Sequence, residues 1–398
     1  MSEVPPTPVE LTVTAVATGG RGVARSAEGQ VVFVDGALPG ETVRASIAAD
    51  HGRFLDATTA SVLRSSTQRR PPPCPLVAAG CGGCDLSHAE PALQRAMKRS
   101  IVEDCLARIA KLTVQPQIGD GPELATTGFR TTLRAAVDGN GRAGIRARRS
   151  HDPVIGASCR VAHPLAEELL IEGRYPGASE VTIRIGARTG ERLVIVDAAA
   201  DRAVVPDGVS VVTASSPGAA AIDEIVHDVR LRISASSFFQ TRVDGAEALI
   251  DVVRAGLAGF GVIDRLVDLC AGVGLFAATV DASSVVAVES SRSSAADAVH
   301  NLAARPSASV RRGRFEDWLP VAADAVIADP ARAGLGKVGV AKVVSCDAST
   351  VALVSCDPAA MARDIGLFVG AGYGVERVTI VDLFPDTHHI EAVTILRR

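Results

Sequence analysis

Alternation of polar and apolar residues dominates the first sixty positions. Glu10-Leu11-Thr12-Val13-Thr14-Ala15-Val16 and Glu41-Thr42-Val43-Arg44-Ala45-Ser46-Ile47 alternate, and Val31-Val32-Phe33-Val34 is a short apolar run. The turns Gly19-Gly20-Arg21-Gly22 and Gly36-Ala37-Leu38-Pro39-Gly40 separate them. With Ala57 to Leu63 as a fourth strand, this pattern predicts a small β-barrel over residues 1–66. The period then changes. Leu93, Met97, Ile101, Cys105 and Ile109 recur every fourth residue after Pro91, which predicts a helix with Cys105 on its core face. Strand patterns return between 128 and 240, at Phe129–Val137, Val181–Ile185, Arg192–Val196 and Val229–Ile233.

From about 241 onward, helical and strand patterns alternate, the mark of a parallel doubly wound sheet. Gly245 to Leu257 reads as helix and Arg265-Leu266-Val267-Asp268-Leu269-Cys270 as a buried strand. Ala271-Gly272-Val273-Gly274 follows as a turn, and Val285-Val286-Ala287-Val288-Glu289 is a strand ending in an acid. Strand, glycine loop, helix and acid-terminated strand fit a nucleoside cofactor, with Gly272 and Gly274 allowing close approach and Glu289 taking the ribose hydroxyls. The third glycine of a pyrophosphate loop is missing, which favours S-adenosylmethionine over a dinucleotide. The expected organisation is α/β: a barrel (1–66), a central β-rich domain (67–240) and a Rossmann-like domain (241–398).

Two stretches carry candidate chemistry. Val351-Ala352-Leu353-Val354 runs into Ser355-Cys356-Asp357-Pro358, a buried strand opening into a loop. Ligands sit beyond the carboxyl ends of such strands, so Cys356 is a candidate nucleophile; the alternative is a buried Cys serving as a small hydrophobe. Cys74, Cys81-Gly82-Gly83-Cys84 and Cys159 form the second set, after the stiff Arg69-Arg70-Pro71-Pro72-Pro73 linker. On spacing alone they suit zinc or an iron–sulfur cluster equally, or are unrelated thiols. Asp382-Leu383-Phe384-Pro385-Asp386-Thr387-His388-His389-Ile390-Glu391 closes the chain, with Glu391 starting a final strand.

Composition narrows the class. The chain has 398 residues, 47% hydrophobic and 22% charged, with a net charge of −4, which excludes a polyanion-coating protein. The charge is uneven, however: residues 63–160 carry 15 basic against 8 acidic side chains. Arg142, Arg146, Arg148 and Arg149 contribute much of this, either as a local surface for an anionic partner or as an ordinary solvated face. No apolar run approaches 18 residues and Met1–Pro6 lacks a signal-peptide pattern, so the expected location is the cytoplasm, without a membrane.

Gly19–Ala24 and Phe33–Glu41 resemble a TRAM domain, an RNA-binding barrel. Together with the four cysteines, Ser237-Phe238-Phe239-Gln240, Asp268–Gly274, Asp329-Pro330, Ser355–Pro358 and Phe384–Glu391, the chain resembles the RNA uracil-C5 methyltransferases, which make 5-methyluridine. The resemblance covers nearly the whole chain. It implies S-adenosylmethionine as cofactor, a [4Fe–4S] cluster on Cys74, Cys81, Cys84 and Cys159, and docking of residues 87–120 onto the catalytic domain. It further implies Cys356 as the nucleophile at uracil C6 and Glu391 as the base taking the C5 proton. Gln240, Cys270, Gly272, Gly274, Glu289 and Asp329 would contact the cofactor, with Asp329 alternatively holding the uracil edge. Ala331, Cys270, Ala271 and Asp357 depart from the family pattern without removing a catalytic side chain. The expected partner is RNA, 23S ribosomal rather than transfer RNA, acted on by a monomer; a non-catalytic RNA-binding relative is the remaining alternative.

Overall fold

The structure, a computed structural model, describes residues 8–398. Four sheets organise them. The N-terminal sheet has six strands, drawn from Val9–Thr12, Ala15–Val16, Gly22–Arg25, Val31–Asp35, Thr42–Asp50 and Phe54–Arg64. The alternating stretch Glu10–Val16 is two strands rather than one. Val9–Thr12 pairs with Thr42–Ala45, whereas Ala15–Val16 pairs with Gly22–Val23, so the chain turns a corner between two partners. Leu11, Val13, Val32, Val34, Val43 and Ala57 point inward and form a separate small core.

A second six-stranded sheet lies between Thr132 and Thr213, followed by a hairpin of Ala221–Val226 and Val229–Ser234. The helix Pro164–Ile171 was not anticipated from the strand-rich pattern there. Its signals are local: His163 caps it, Pro164 opens it, and Ala166, Leu169 and Leu170 bury one face.

The largest sheet has eight strands, in the spatial order Ala308–Arg312, Ser284–Glu289, Arg265–Leu269, Ala325–Ala328, Thr350–Ser355, Glu391–Arg397, Gly374–Val381 and Gln117–Asp120. The order reverses at Arg265–Leu269, whose neighbours on both sides run parallel to it. Near-continuous Val, Ile and Leu runs fit strands buried on both faces. Thr350–Ser355 is buried at every position and Glu391–Arg397 at all but the last. Glu391–Arg397 runs antiparallel between Thr350–Ser355 and Gly374–Val381.

Residues from the middle of the chain complete this domain. Gln117–Asp120 pairs in parallel with Arg377–Ile380 at the sheet edge. The helix Pro91–Arg108 buries Met97, Ile101, Val102, Cys105 and Leu106, and joins a core containing Phe368, Tyr373 and Ile380. No helix among the described residues is long and apolar enough to cross a membrane.

The same helix grips the loop leading to Glu391. Lys98, 1% exposed, donates to Asp382 Oδ1 at 2.6 Å and to the Phe384 carbonyl at 2.9 Å. Gln94 donates to Asp386 Oδ1 at 2.8 Å and accepts from the Asp386 N–H at 2.7 Å. Arg70 reaches the same Oδ1 at 2.7 Å. Asp386 sits at φ 63°, in the left-handed region, and these bonds hold it there. Replacing Lys98 with Ala strips a buried charged donor from two acceptors, so it should cost about 2 kcal/mol in denaturant titration. Faster amide exchange should be confined to residues 382–390 and the helix beneath them.

Candidate active site

One cavity of about 1470 Å³ reaches the carboxyl ends of the central strands and extends to the barrel and the cysteine turn. It gathers seven of the eight residues expected to carry catalysis or hold the cofactor: Gln240, Cys270, Gly272, Glu289, Asp329, Cys356 and Glu391 line it, whereas Cys74, Cys81, Cys84 and Cys159 do not. Gly274 does not line it; at φ 87° it caps the short helix Leu275–Thr279 and shapes the loop from below.

The loop after Arg265–Leu269 turns through three left-handed residues, Cys270 (φ 66°), Gly272 (57°) and Gly274 (87°). Cys270 bears a side chain in a conformation that glycine adopts more readily. Asp268 ties the loop down by accepting from the Ala277 N–H at 2.8 Å. Its other oxygen is buried without a hydrogen bond, and burial pushes its pKa up to about 7. Glu289 accepts from the Gly272 N–H at 2.8 Å and the Ser291 N–H at 2.6 Å, which fixes its carboxylate beside the loop. The space beside Gly272 is open: a Cβ built there meets nothing within 4 Å. Gln240 is 8% exposed, and its amide has no hydrogen-bond partner among the described residues. Ser237, three residues earlier, is pinned to Asp297 Oδ2 at 2.5 Å, which anchors this stretch against the cofactor half of the cavity. An open loop flanked by a fixed carboxylate and an unspent amide fits an adenosyl cofactor.

The other half holds the thiol. Ser355 and Ala392 are cross-strand partners on antiparallel strands, so the next step outward sets Cys356 opposite Glu391. Asp329 ends the neighbouring parallel strand, where Ala328 pairs with Leu353. Burial pushes the Cys356 thiol up to about 11; Glu391 and Asp329 push in the same direction, and Arg332 opposes them. Burial also raises Asp329 to about 7, and burial together with Asp329 raises Glu391 well above the usual carboxylate range. Both acids thus keep their protons to higher pH than isolated carboxylates do. Arg332 is paired with His389 Nδ1 at 3.0 Å. Burial, with His388 and Arg332, lowers His389 to about 4, so it stays neutral.

The four cysteines share one neighbourhood. Burial raises the Cys81, Cys84 and Cys159 thiols, Cys84 to about 12, and their mutual charges and that of Cys74 add to it. Backbone N–H groups of Gly83, Ala162 and Val161 point at the sulfurs of Cys81 and Cys159. Among the described residues, no three His, Cys, Asp or Glu side chains close to the spacing of ligands around one metal ion. The basic segment is only partly available as free charge. Arg146 and Arg134 pair with Glu180, and Arg149 pairs with Asp35 of the barrel. Arg148 lines the cavity without an ion pair.

Comparison with known proteins agrees with this arrangement. Residues 7–59 match the TRAM domain, and residues 314–398 match the tRNA (uracil-5-)-methyltransferase family. An uncharacterized RNA methyltransferase of Streptomyces avermitilis is 36% identical over 97% of this chain and 97% of its own. The 23S rRNA (uracil(1939)-C(5))-methyltransferase RlmD of Chromohalobacter salexigens is 30% identical over 98% of this chain and 89% of its own. The crystal structure of Pyrococcus abyssi tRNA (uracil-54, C5)-methyltransferase with S-adenosyl-L-homocysteine has a TM-score of 0.74 at 21% identity. It covers 98% of this chain and 100% of its own, and shares the fold. Fold, cavity and these matches together define an S-adenosylmethionine-dependent methyltransferase with an N-terminal TRAM domain. The chain belongs to the RNA (uracil-C5) methyltransferase family.

The electrostatics of Cys356 have a measurable sign. Alkylation of the Cys356-containing peptide, followed by mass spectrometry from pH 7 to 11, should rise with a midpoint near the upper end of that range. Glu391→Gln removes a negative neighbour and should lower the midpoint; Arg332→Ala removes the opposing cation and should raise it.

Proposed function

We propose that this protein forms 5-methyluridine in 23S ribosomal RNA by covalent catalysis from Cys356. The observation that carries the reading is the register that faces Cys356 with Glu391 across two antiparallel strands, beside Asp329. The Chromohalobacter relative, aligned over nearly all of both chains, supports the ribosomal substrate.

Uracil C5 is a weak nucleophile, and a thiolate added at C6 turns it into an enolate carbon. S-adenosylmethionine supplies an electrophilic methyl group from its sulfonium. Cys356 first releases its thiol proton to solvent; as thiolate it forms the C6–S bond, and the C5–C6 π electrons move towards O4. Asp329, raised to about 7, has a proton to offer O4 as that charge develops, and recovers it as C5 takes the methyl group and the C4 carbonyl re-forms. After C5 is methylated, Glu391 in its ionised form takes the C5 proton. The C6–S bond breaks, the C5–C6 double bond returns, and Cys356 leaves as thiolate. Glu289 and Gln240 hold the ribose and the amino-acid portion of the cofactor, and the loop at Cys270, Gly272 and Gly274 gives its adenosine close approach. Because the cavity is deep, the uridine must leave its RNA stack to reach Cys356.

Cys74, Cys81, Cys84 and Cys159 would hold a [4Fe–4S] cluster, which would cross-link the linker, the glycine turn and the central sheet. Their closeness and the N–H groups aimed at their sulfurs support this. A single tetrahedral zinc on the same thiolates is the competing occupant, and the metal content of the purified protein separates the two. Protein purified without oxygen should therefore be brown, absorb near ~400 nm and carry about four irons per chain. Colourless protein with one zinc would overturn this.

Mapping methylated uridines in total RNA, with and without the protein, tests the substrate: one 23S position should depend on it, and a transfer RNA position would redirect the reading. The roles separate by variant. Cys356→Ala should form no covalent RNA complex and no product. Glu391→Gln should still add and methylate but stall, accumulating a methylated adduct as a slow band on a denaturing gel, with turnover reduced ~10²–10⁴-fold.

A further inference from the structure

The barrel brings to the main cavity an arginine that the proposed reaction does not use. Arg21 lines the cavity beside Gly19, Gly20 and Gly36. The wall there is bare backbone: a Cβ at Gly19 would meet nothing within 4 Å, and one at Gly36 only Thr59, at 3.9 Å. Gly19 and Gly20 turn through the left-handed region at φ 91° and 76°, and the Ala17 N–H closes the turn onto the Arg21 carbonyl at 2.8 Å. A Cβ at Gly20 would stand 2.7 Å from the His388 Cβ, so the turn also rests on the loop that leads to Glu391. Arg21 therefore stands on a fixed backbone, beside open space and close to the catalytic loop.

Its side chain is fixed as well. Val32 and Val34 point into the barrel core, so Phe33 between them faces out, with Asp56 as its cross-strand partner. The Arg21 guanidinium lies over the Phe33 ring, 4.7 Å from its centroid, and donates to Asp56 Oδ1 at 2.6 Å. Asp56 Oδ2 faces His51 Nε2 at 3.1 Å, and the His51 ring stacks on Phe54 with centroids 4.5 Å apart. Phe54 in turn meets Phe33 edge to face at 5.4 Å. Arg21 reaches the cavity, whereas Phe33, Phe54, His51 and Asp56, which support it, do not line it. The guanidinium is thus backed by a ring and satisfied at its edge by a carboxylate. Arg149, another cation lining this cavity, is spent on Asp35 of the barrel. A phosphate finds little free charge on this wall, but a flat uncharged group finds a plane and room to lie against it.

We infer that Arg21 is a stacking plate for the base of a nucleotide flanking the target uridine. The inference rests on the RNA substrate proposed above and adds where a neighbouring base goes. Drawing one uridine out of its stack leaves each neighbour with an open face. The Arg21 plane replaces one lost partner, and it does so for any base, because every base has a π face. Arg21 contributes to binding through its shape rather than its charge.

The test uses full-length protein with S-adenosylhomocysteine and a short fluorescein-labelled oligouridylate, together with a series in which each position in turn carries an abasic ribose. Arg21→Lys keeps the charge and loses the plane, and should weaken binding about tenfold. In the parent protein one abasic position should cause a similar loss, and in Arg21→Lys that same position should cost nothing further. The slope of log affinity against log salt should be equal in the parent, Arg21→Lys and Arg21→Gln. Unchanged affinity for S-adenosylhomocysteine reports that each variant is folded. Parent-like binding by Arg21→Lys, additive losses from the variant and the abasic position, or a flatter salt slope in Arg21→Gln would each overturn the plate while leaving the RNA substrate standing. A parent protein that binds no oligouridylate would overturn the RNA reading and the plate with it.

Discussion

A thiol and two carboxylic acids share one poorly solvated corner of this protein, and the rest of the fold keeps them there. Charge is costly in that corner, and it raises the pKa values of Cys356, Asp329 and Glu391 together. The constraint suits a reaction in which negative charge passes from sulfur to the uracil ring and back. Three adjacent strand ends supply the three groups, and strand pairing fixes their spacing more firmly than a loop would.

The side of the site away from the sheet is assembled from distant chain. The loop from Asp382 to Ile390 is held by Lys98, Gln94 and Arg70, while Asp85 accepts from the His388 N–H at 3.1 Å and faces its ring. A Cβ at Gly20 would stand 2.7 Å from the His388 Cβ, so the barrel also rests on this loop. Barrel, cysteine turn and helix thus meet on the nine residues that lead to Glu391. The arrangement explains how the TRAM domain and the largest sheet can line a single cavity.

Much of this was legible in the sequence where chemistry and period coincide. A strand, a glycine loop and Glu289 announce a cofactor site because the period changes at the turn, and Cys356 and Glu391 stand out because they interrupt apolar strands at their ends. The pairing of Cys356 with Glu391 was not legible, since it depends on the final strand inserting antiparallel between two others. Nor was the neutralisation of Arg146 and Arg149, whose acids lie on Glu180 and Asp35, far away in sequence. The helix Pro164–Ile171 escaped because it is short and set among strands, where a local cap competes with a longer pattern. Lys98 and Gln94 read as polar interruptions of an apolar stripe; their burial follows from the loop they grip, which that pattern does not contain.

The strand Gln117–Asp120 has a consequence for the order in which the molecule is made. Among the described residues its one strand partner is Arg377–Ile380, which leaves the ribosome long after it. Until then, the apolar face of the helix Pro91–Arg108 has no sheet to cover it, and Gln117–Asp120 has no edge to join. The N-terminal sheet can mature early, but the catalytic sheet closes only once Gly374–Val381 has emerged, over a segment made long before. Until then a nascent chain exposes a sticky helix face, the kind of surface that promotes aggregation. A fragment cut at residue 241 would lack that helix and strand altogether, and would leave Gly374–Val381 as a bare edge open to pairing with other chains.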